Sequence, residues 1–228
     1  MKKIRKPKYI LFDVGNVLTY KVTHEDENIG KLLGMSREEY REFLDEMIEQ
    51  QTEGEHRAFK EMNTIEKEKA YLDKLHKKMC MKLGIKLRPS FISKMTDCRM
   101  KGDFALKEGT IESLKSLSQQ YKLGIYTNSL PSRRYHELKI DNLYTYFDNI
   151  FISKEIGFEK PDVKGFKYVL NHIPFKKEDV VFVDDKLEYL EGAEKAGISN
   201  LIMFLHKDIT DKYPIIQNLN ELIILLDK

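Results

Sequence analysis

Tyr9-Ile10-Leu11-Phe12-Asp13-Val14-Gly15-Asn16-Val17-Leu18 is a strand-forming run that delivers one carboxylate, Asp13, to the point where the strand ends. An apolar run without polar alternation suits the centre of a parallel sheet, buried on both faces. Ligands in such sheets sit beyond the carboxyl ends of the strands, where Asp13 lies. Gly15 and Asn16 supply turn chemistry and let a backbone carbonyl swing towards whatever Asp13 faces. One aspartate after one strand caps a turn as readily as it does chemistry, so the other strand ends decide its meaning.

Residues 20–102 change character, and helical periodicity takes over. Ser36-Arg37-Glu38-Glu39 has capping-box spacing, and Tyr40, Phe43, Leu44, Met47 and Ile48 line one face behind it. A second helix is expected over Thr64–Leu83, with Ile65, Leu72, Leu75, Met79 and Leu83 as its stripe and Gly84 as its stop. Arg88-Pro89-Ser90 opens a third, shorter helix. From Gly109 the pattern becomes a βα alternation. Strands are expected over Lys122–Thr127, Asn149–Ile152, Asp179–Val183 and Asn200–Phe204, the last one. Helices are expected over Thr110–Gln120, from Pro131, with Pro161 in the first turn of the next, over Leu187–Ala196, and over Ile215–Leu226 to close. The fold class is α/β, a Rossmann-like doubly wound parallel sheet. Residues 1–19 and 103–228 make the core domain, and 20–102 an inserted all-helical domain.

Composition agrees with a folded chain that has a real core and a well-solvated surface. Its 228 residues, 41% hydrophobic and 33% charged, are enough for one large domain or a core domain with a smaller insertion. A net charge of only +2 gives no general case for nucleic-acid or membrane partners. The basic opening Met1–Pro7 leads straight into the first strand and lacks the apolar stretch of a secretory signal, and no run is long enough to span a bilayer. Cys80 and Cys98 lack zinc spacing and read as reduced thiols, which makes the cytoplasm the expected location.

Four strand ends, or loops just after them, carry complementary polar groups: Asp13, Thr127-Asn128, Lys160 and Asp184-Asp185. In a parallel sheet these lie on one rim. Asp13, Asp184 or Asp185, and the Gly15 carbonyl make an all-oxygen ligand set for Mg²⁺. Without a cation, crowding would raise the pKa values of these carboxylates. Lys160 can orient Asp13 and hold a phosphate oxygen, and the Thr127 hydroxyl with the N–H groups after it can donate to the same phosphoryl group. Asp13 is then the nucleophile of an in-line attack on phosphorus.

In this arrangement the chain resembles the haloacid dehalogenase (HAD) superfamily over nearly its whole length. Phe12–Leu18 is similar to the first family motif, Tyr126–Ser129 to the second, Gly157–Asp162 to the third, and Val181–Asp185 running on to Gly197 to the fourth. The resemblance implies that residues 20–102 form the cap that chooses the substrate. It implies Asp13 as nucleophile, Thr127, Asn128 and Lys160 at the phosphate, and Mg²⁺ between Asp13, the Gly15 carbonyl and Asp185, with Asp184 as the other candidate ligand. The expected activity is Mg²⁺-dependent hydrolysis of a small phosphorylated metabolite through an aspartyl-phosphate.

Two positions depart from the family pattern. Gly15 stands where most family phosphatases carry an acid–base aspartate, although the Asp-x-Gly-Asn opening resembles a bacterial branch of sugar-phosphate phosphatases, the glucose-1-phosphate type among them. Tyr189 stands where the family usually has Asp or Asn to support the lysine, with Glu188 as a possible substitute. The alternatives are a catalytically impaired binding or regulatory relative and a 2-haloacid dehalogenase. His24, His56, Arg57, Lys60 and Tyr71 are candidates for lining the cleft, and Arg133-Arg134 for reaching a second anionic group.

Overall fold

The computed structural model describes residues 7–208 and 210–226. The basic opening Met1–Lys6, and with it the expectation of a direct lead into the first strand, lies outside them. Strands run over Tyr9–Phe12 (β1), Thr19–Thr23 (β2), Asp103–Leu106 (β3), Lys122–Thr127 (β4), Asn149–Ile152 (β5), Val180–Asp184 (β6), Asn200–Phe204 (β7) and Ile215–Ile216 (β8). The order β5-β4-β1-β6-β7-β8 makes one parallel sheet, while β2 and β3 pair with each other. The first strand is therefore central, and the chain winds outward from it in both directions, as a doubly wound sheet does.

Helices cover Glu25–Leu33 (α1), Arg37–Glu49 (α2), Glu53–Lys60 (α3), Ile65–Lys82 (α4), Pro89–Lys101 (α5), Thr110–Ser118 (α6), Pro131–Leu138 (α7), Ser153–Ile156 (α8), Val163–Asn171 (α9), Leu187–Ala196 (α10) and Leu219–Leu226 (α11). Two compact units result: the described residues of Met1–Tyr20, Ala105–Asn128 and Leu138–Lys228, and Lys21–Phe104 with Ser129–Glu137. Among the described residues no helix is long and apolar enough to cross a membrane.

In the sheet unit, strand alternation splits the core between the two faces. Ile10 and Phe12 pack with Ile125, Val183, Leu114 of α6 and Leu222 of α11. Tyr9 and Leu11 pack with Phe182, Phe166 of α9 and Leu190 of α10. A fully buried Leu or Phe contributes about 1.5–3 kcal/mol, so these two clusters hold the strand ends in place. Several boundaries differ from the sequence reading. Pro161 precedes its helix, because the Asp162 side chain accepts from the Lys164 N–H and starts α9 two residues later. Ile215 and Ile216 add a further strand beside β7, and the closing helix begins only at Leu219.

In the helical unit, Ile29, Tyr40, Met47, Met79 and Met95 form the core. The Ser36–Glu39 capping box forms as expected. A second box, Thr52–Glu55, opens α3, a helix the sequence reading missed, as it missed α1 and the strand β2. The third expected helix is not short, since α5 runs to Lys101. Ile48 and Ile65, expected on the buried stripes, are exposed. Arg133 and Arg134 are absorbed by ion pairs, to Glu25 at 2.6 Å and to Glu137 at 2.6 Å. Glu68, fully buried on α4, accepts from the Ser132 N–H at 3.1 Å and the Ser132 hydroxyl at 2.6 Å, which caps α7. Burial raises the Glu68 carboxyl, and these donors pull it back only in part.

The buried His76 ring contacts the Thr96 hydroxyl through Nδ1 at 2.9 Å, and that hydroxyl donates to Asp73 at 2.7 Å. Thr96 has spent its proton on Asp73, so Nδ1 carries the imidazole proton and Nε2 is left without a partner among the described residues. Burial, helped by the Arg99 charge, lowers the ring from 6.5 to about 4. A group depressed on folding contributes stability that is whole above pH 6.5 and lost as the pH falls towards 4, at most about 3 kcal/mol. Urea titrations from pH 7 to pH 4 are expected to show this loss in the wild type and a flatter profile in His76→Gln. Parallel profiles would show that the buried ring is not the titrating group.

Candidate active site

The central position of β1 sets the geometry of the site. Phe12 pairs with Ile125 of β4 on one side and Val183 of β6 on the other. The next residues of the three strands, Asp13, Tyr126 and Asp184, therefore emerge side by side, and the Asp13 N–H donates to the Val183 carbonyl at 2.9 Å. Thr127 ends β4 one residue further on. Lys160 arrives from the loop ahead of α9. Its ammonium donates to Asp13 Oδ1 at 2.8 Å and to Asp184 Oδ2 at 2.6 Å, and its side chain has no solvent exposure.

The Lys160 main chain is held as firmly as its side chain. Asn128 donates from Nδ2 to the Lys160 carbonyl and accepts the Lys160 N–H at Oδ1, both at 2.8 Å. Two glycines allow this loop to pack. A Cβ on Gly192 of α10 would overlap the Pro161 carbonyl, and one on Gly165 of α9 would overlap the Tyr126 hydroxyl.

The acidic residues divide their work. Both oxygens of Asp184 accept a hydrogen bond, Oδ2 from Lys160 and Oδ1 from the Lys186 N–H at 3.0 Å. Asp185 has one oxygen on Asn16 Nδ2 at 3.0 Å, and Asn16 reaches it from a left-handed backbone with φ 62°. Burial pushes the Asp184 carboxyl up to about 7, with Asp13 adding repulsion that Lys160 opposes. Asp185 is raised by burial and then by Asp13. The crowding foreseen from sequence is present, though burial outweighs it. Burial also works against the Lys160 charge, yet Asp13 and Asp184 prevail and hold the ammonium above its ordinary range.

One oxygen from each of Asp13, Asp184 and Asp185 lies within 4.8 Å of the others. Opposite oxygens around Mg²⁺ stand about 4.2 Å apart, twice its usual bond length, so this donor set fits a small divalent cation. Charge agrees: three carboxyl groups crowd a single ammonium, and a cation among them would favour their ionised forms. The Thr127 hydroxyl is buried and has no hydrogen-bond partner among the described residues. An orphaned buried hydroxyl is costly, and an oxyanion would satisfy it. A Cβ on Gly15 would come no nearer to the core than 4.0 Å from Asp13 Oδ2, so the missing side chain there is not a steric necessity.

Beside Asp185 opens a cleft of about 740 Å³ lined by Asn16, Lys186, Glu188, Glu191 and His206 among others. Glu188, the suggested substitute for the usual lysine partner, is exposed on this cleft, and the carboxylates on Lys160 are Asp13 and Asp184. The cleft candidates His24, His56, Arg57, Lys60 and Tyr71 all belong to the helical unit, where Tyr71 packs on Phe59 and bonds Gln51. Asn16 and the rings around Lys160 escaped the sequence reading as site residues.

Comparison with known proteins gives this site a family. A haloacid dehalogenase-like hydrolase model matches residues 86–203. The chain belongs to the haloacid dehalogenase-like hydrolases. It is 33% identical over 100 residues to the HAD-hydrolase YfnB of Bacillus subtilis, and 33% identical over 95 residues to a glyceraldehyde 3-phosphate phosphatase of Methanothermobacter thermautotrophicus. These matches span 43% and 41% of the relatives' own lengths and the same shares of this chain. The crystal structure of YfnB bound to magnesium superposes with a TM-score of 0.59, at 21% identity, over 98% of this chain and all of that one. A 2-haloacid dehalogenase from Pseudomonas syringae gives 0.67 at 17% identity, over 97% of this chain and 98% of that one. At such identities the likeness is one of fold.

Removing one partner from a buried ion pair typically costs about 3–5 kcal/mol. Lys160→Met is expected to lower the unfolding free energy by about that amount at pH 7, measured by urea denaturation. Asp184→Asn in the same background should recover part of the loss, because one uncompensated carboxylate is gone. A wild-type midpoint for Lys160→Met would show that the ammonium does not hold this cluster together.

Proposed function

We propose that the protein is a Mg²⁺-dependent phosphatase of a small phosphorylated metabolite, a sugar phosphate, working through an aspartyl-phosphate on Asp13. The observation that carries this reading is the fully buried Lys160 ammonium held on Asp13, together with a buried Thr127 hydroxyl that has no partner among the described residues. Phosphatase-named relatives support it, among them the glyceraldehyde 3-phosphate phosphatase. Asp13, the Gly15 carbonyl and Asp185 would hold the metal, because Asp13 and Asp185 each have one oxygen outside the hydrogen bonds described above whereas both oxygens of Asp184 accept one. Bound there, Mg²⁺ would screen the carboxylates and polarise the phosphoryl group.

The other steps belong to the chain. Lys160 and Thr127 donate to phosphoryl oxygens and hold phosphorus in line with Asp13. A carboxylate oxygen of Asp13 attacks, the ester P–O bond breaks, and the alkoxide takes a proton from water because Gly15 offers none. Water then attacks the aspartyl-phosphate, releasing orthophosphate and restoring Asp13. The helical unit acts as the cap that selects the substrate. The setting is the cytoplasm, where the free thiols Cys80 and Cys98 stay reduced.

Hydrolysis of p-nitrophenyl phosphate tests the reading, because its good leaving group needs little acid help. Turnover is expected with Mg²⁺, and its loss with EDTA and in Asp13→Asn. Gly15→Asp should raise turnover of a poor leaving group such as a primary alkyl phosphate by about 10²-fold or more, the usual worth of a general acid. No turnover with any divalent metal, in wild type or Gly15→Asp, would favour the binding or regulatory alternative.

A further inference from the structure

Lys160 keeps unusual company. Its Nζ lies 4.8 Å from the ring centroid of Tyr189, 5.4 Å from that of Phe182 and 5.7 Å from that of Tyr126. Each is within the roughly 6 Å at which a ring face attracts a cation. Phe182 and Tyr126 are buried core residues, so packing explains their positions. Tyr189 is only half-buried, and its hydroxyl meets Asn128 Nδ2 at 3.3 Å and Lys186 Nζ at 3.0 Å. Asn128 is the residue that brackets the Lys160 main chain.

We propose that Tyr189 is a positioning residue for Lys160, its ring closing an aromatic box that keeps the ammonium between Asp13 and Asp184. Two of the three ammonium N–H groups are committed to those carboxylates, which leaves one for a phosphoryl oxygen. An aromatic face suits this place because it attracts the cation without adding charge. A carboxylate at position 189 would add a further negative charge to a cluster that already carries three carboxylates. The ring thus does by polarisable contact what a carboxylate would do by Coulomb attraction.

The kinetic part of this inference rests on the phosphatase reading, so the test includes a readout that needs no turnover. Lysine side-chain NMR reports the Lys160 ε-methylene and ammonium resonances, which ring faces shift upfield. Tyr189→Phe keeps the ring and loses only the hydroxyl. It is expected to keep the upfield resonance, and to hold kcat and the affinity for orthophosphate in the presence of Mg²⁺ within about 3-fold. Tyr189→Leu is expected to move the resonance and weaken orthophosphate about 10-fold, with an unchanged thermal midpoint. An unmoved resonance in Tyr189→Leu overturns the proposal, as does a moved resonance with unchanged orthophosphate affinity. Tyr189→Phe falling as far as Tyr189→Leu would assign the effect to the hydroxyl and overturn it too. If no phosphate ester is hydrolysed by the wild type, the phosphatase reading fails separately, and the orthophosphate titration still decides the role of Tyr189.

Discussion

A single ammonium group without solvent exposure sits between two carboxylates that leave the ends of neighbouring strands. Taking such a charge out of water costs several kcal/mol, and only close, well-directed partners offset it. Asp13 and Asp184 do so here at 2.8 and 2.6 Å. The same contacts tie β1, β6 and the loop before α9 to one point. They also distinguish the acids, since both oxygens of Asp184 accept a hydrogen bond. Asp13 and Asp185 each keep an oxygen outside these protein hydrogen bonds. The arrangement is crowded, with three carboxyl groups around a single ammonium.

Parallel topology is what lets so few residues converge. In this sheet the carboxyl ends of β4, β1 and β6 are adjacent, so a polar residue placed just after the apolar run of each is brought to its neighbours without any long reach. The side chains need no loop flexibility to meet. Asn128 and the two glycines under the Lys160 loop then supply what the strands cannot, which is close approach of an irregular segment.

Much of this was legible before any coordinates, for physical reasons. β4, β5, β7 and α10 fall where apolar runs and stop signals put them, because buried strands and glycine-terminated helices leave local marks. The convergence of Asp13, Lys160 and Asp184 was legible from strand ends and motif order. Other features were not. Helix α1 follows His24, whose side chain makes no cap, and β2 is mostly exposed, so neither carries a strong signal in the sequence. Arg133 and Arg134 read as candidates for a second anionic group because the sequence does not show that Glu25 and Glu137 stand against them. Tyr189 was visible only as a departure from a pattern. That its ring faces Lys160 depends on the approach of α10, which Gly192 permits and which no local rule reveals.

The segment Ser129–Glu137 follows directly on the second motif of the sheet unit, yet it belongs to the helical one. The chain therefore crosses between units four times rather than twice. For anyone exchanging modules among relatives, residues 21–104 are not a portable cassette. Moved into another scaffold they would leave Glu68 without both of its Ser132 donors, and α7 without the carboxylate that caps it. A workable graft has to be discontinuous, bringing the short helix from the far side of β4 along with the insertion.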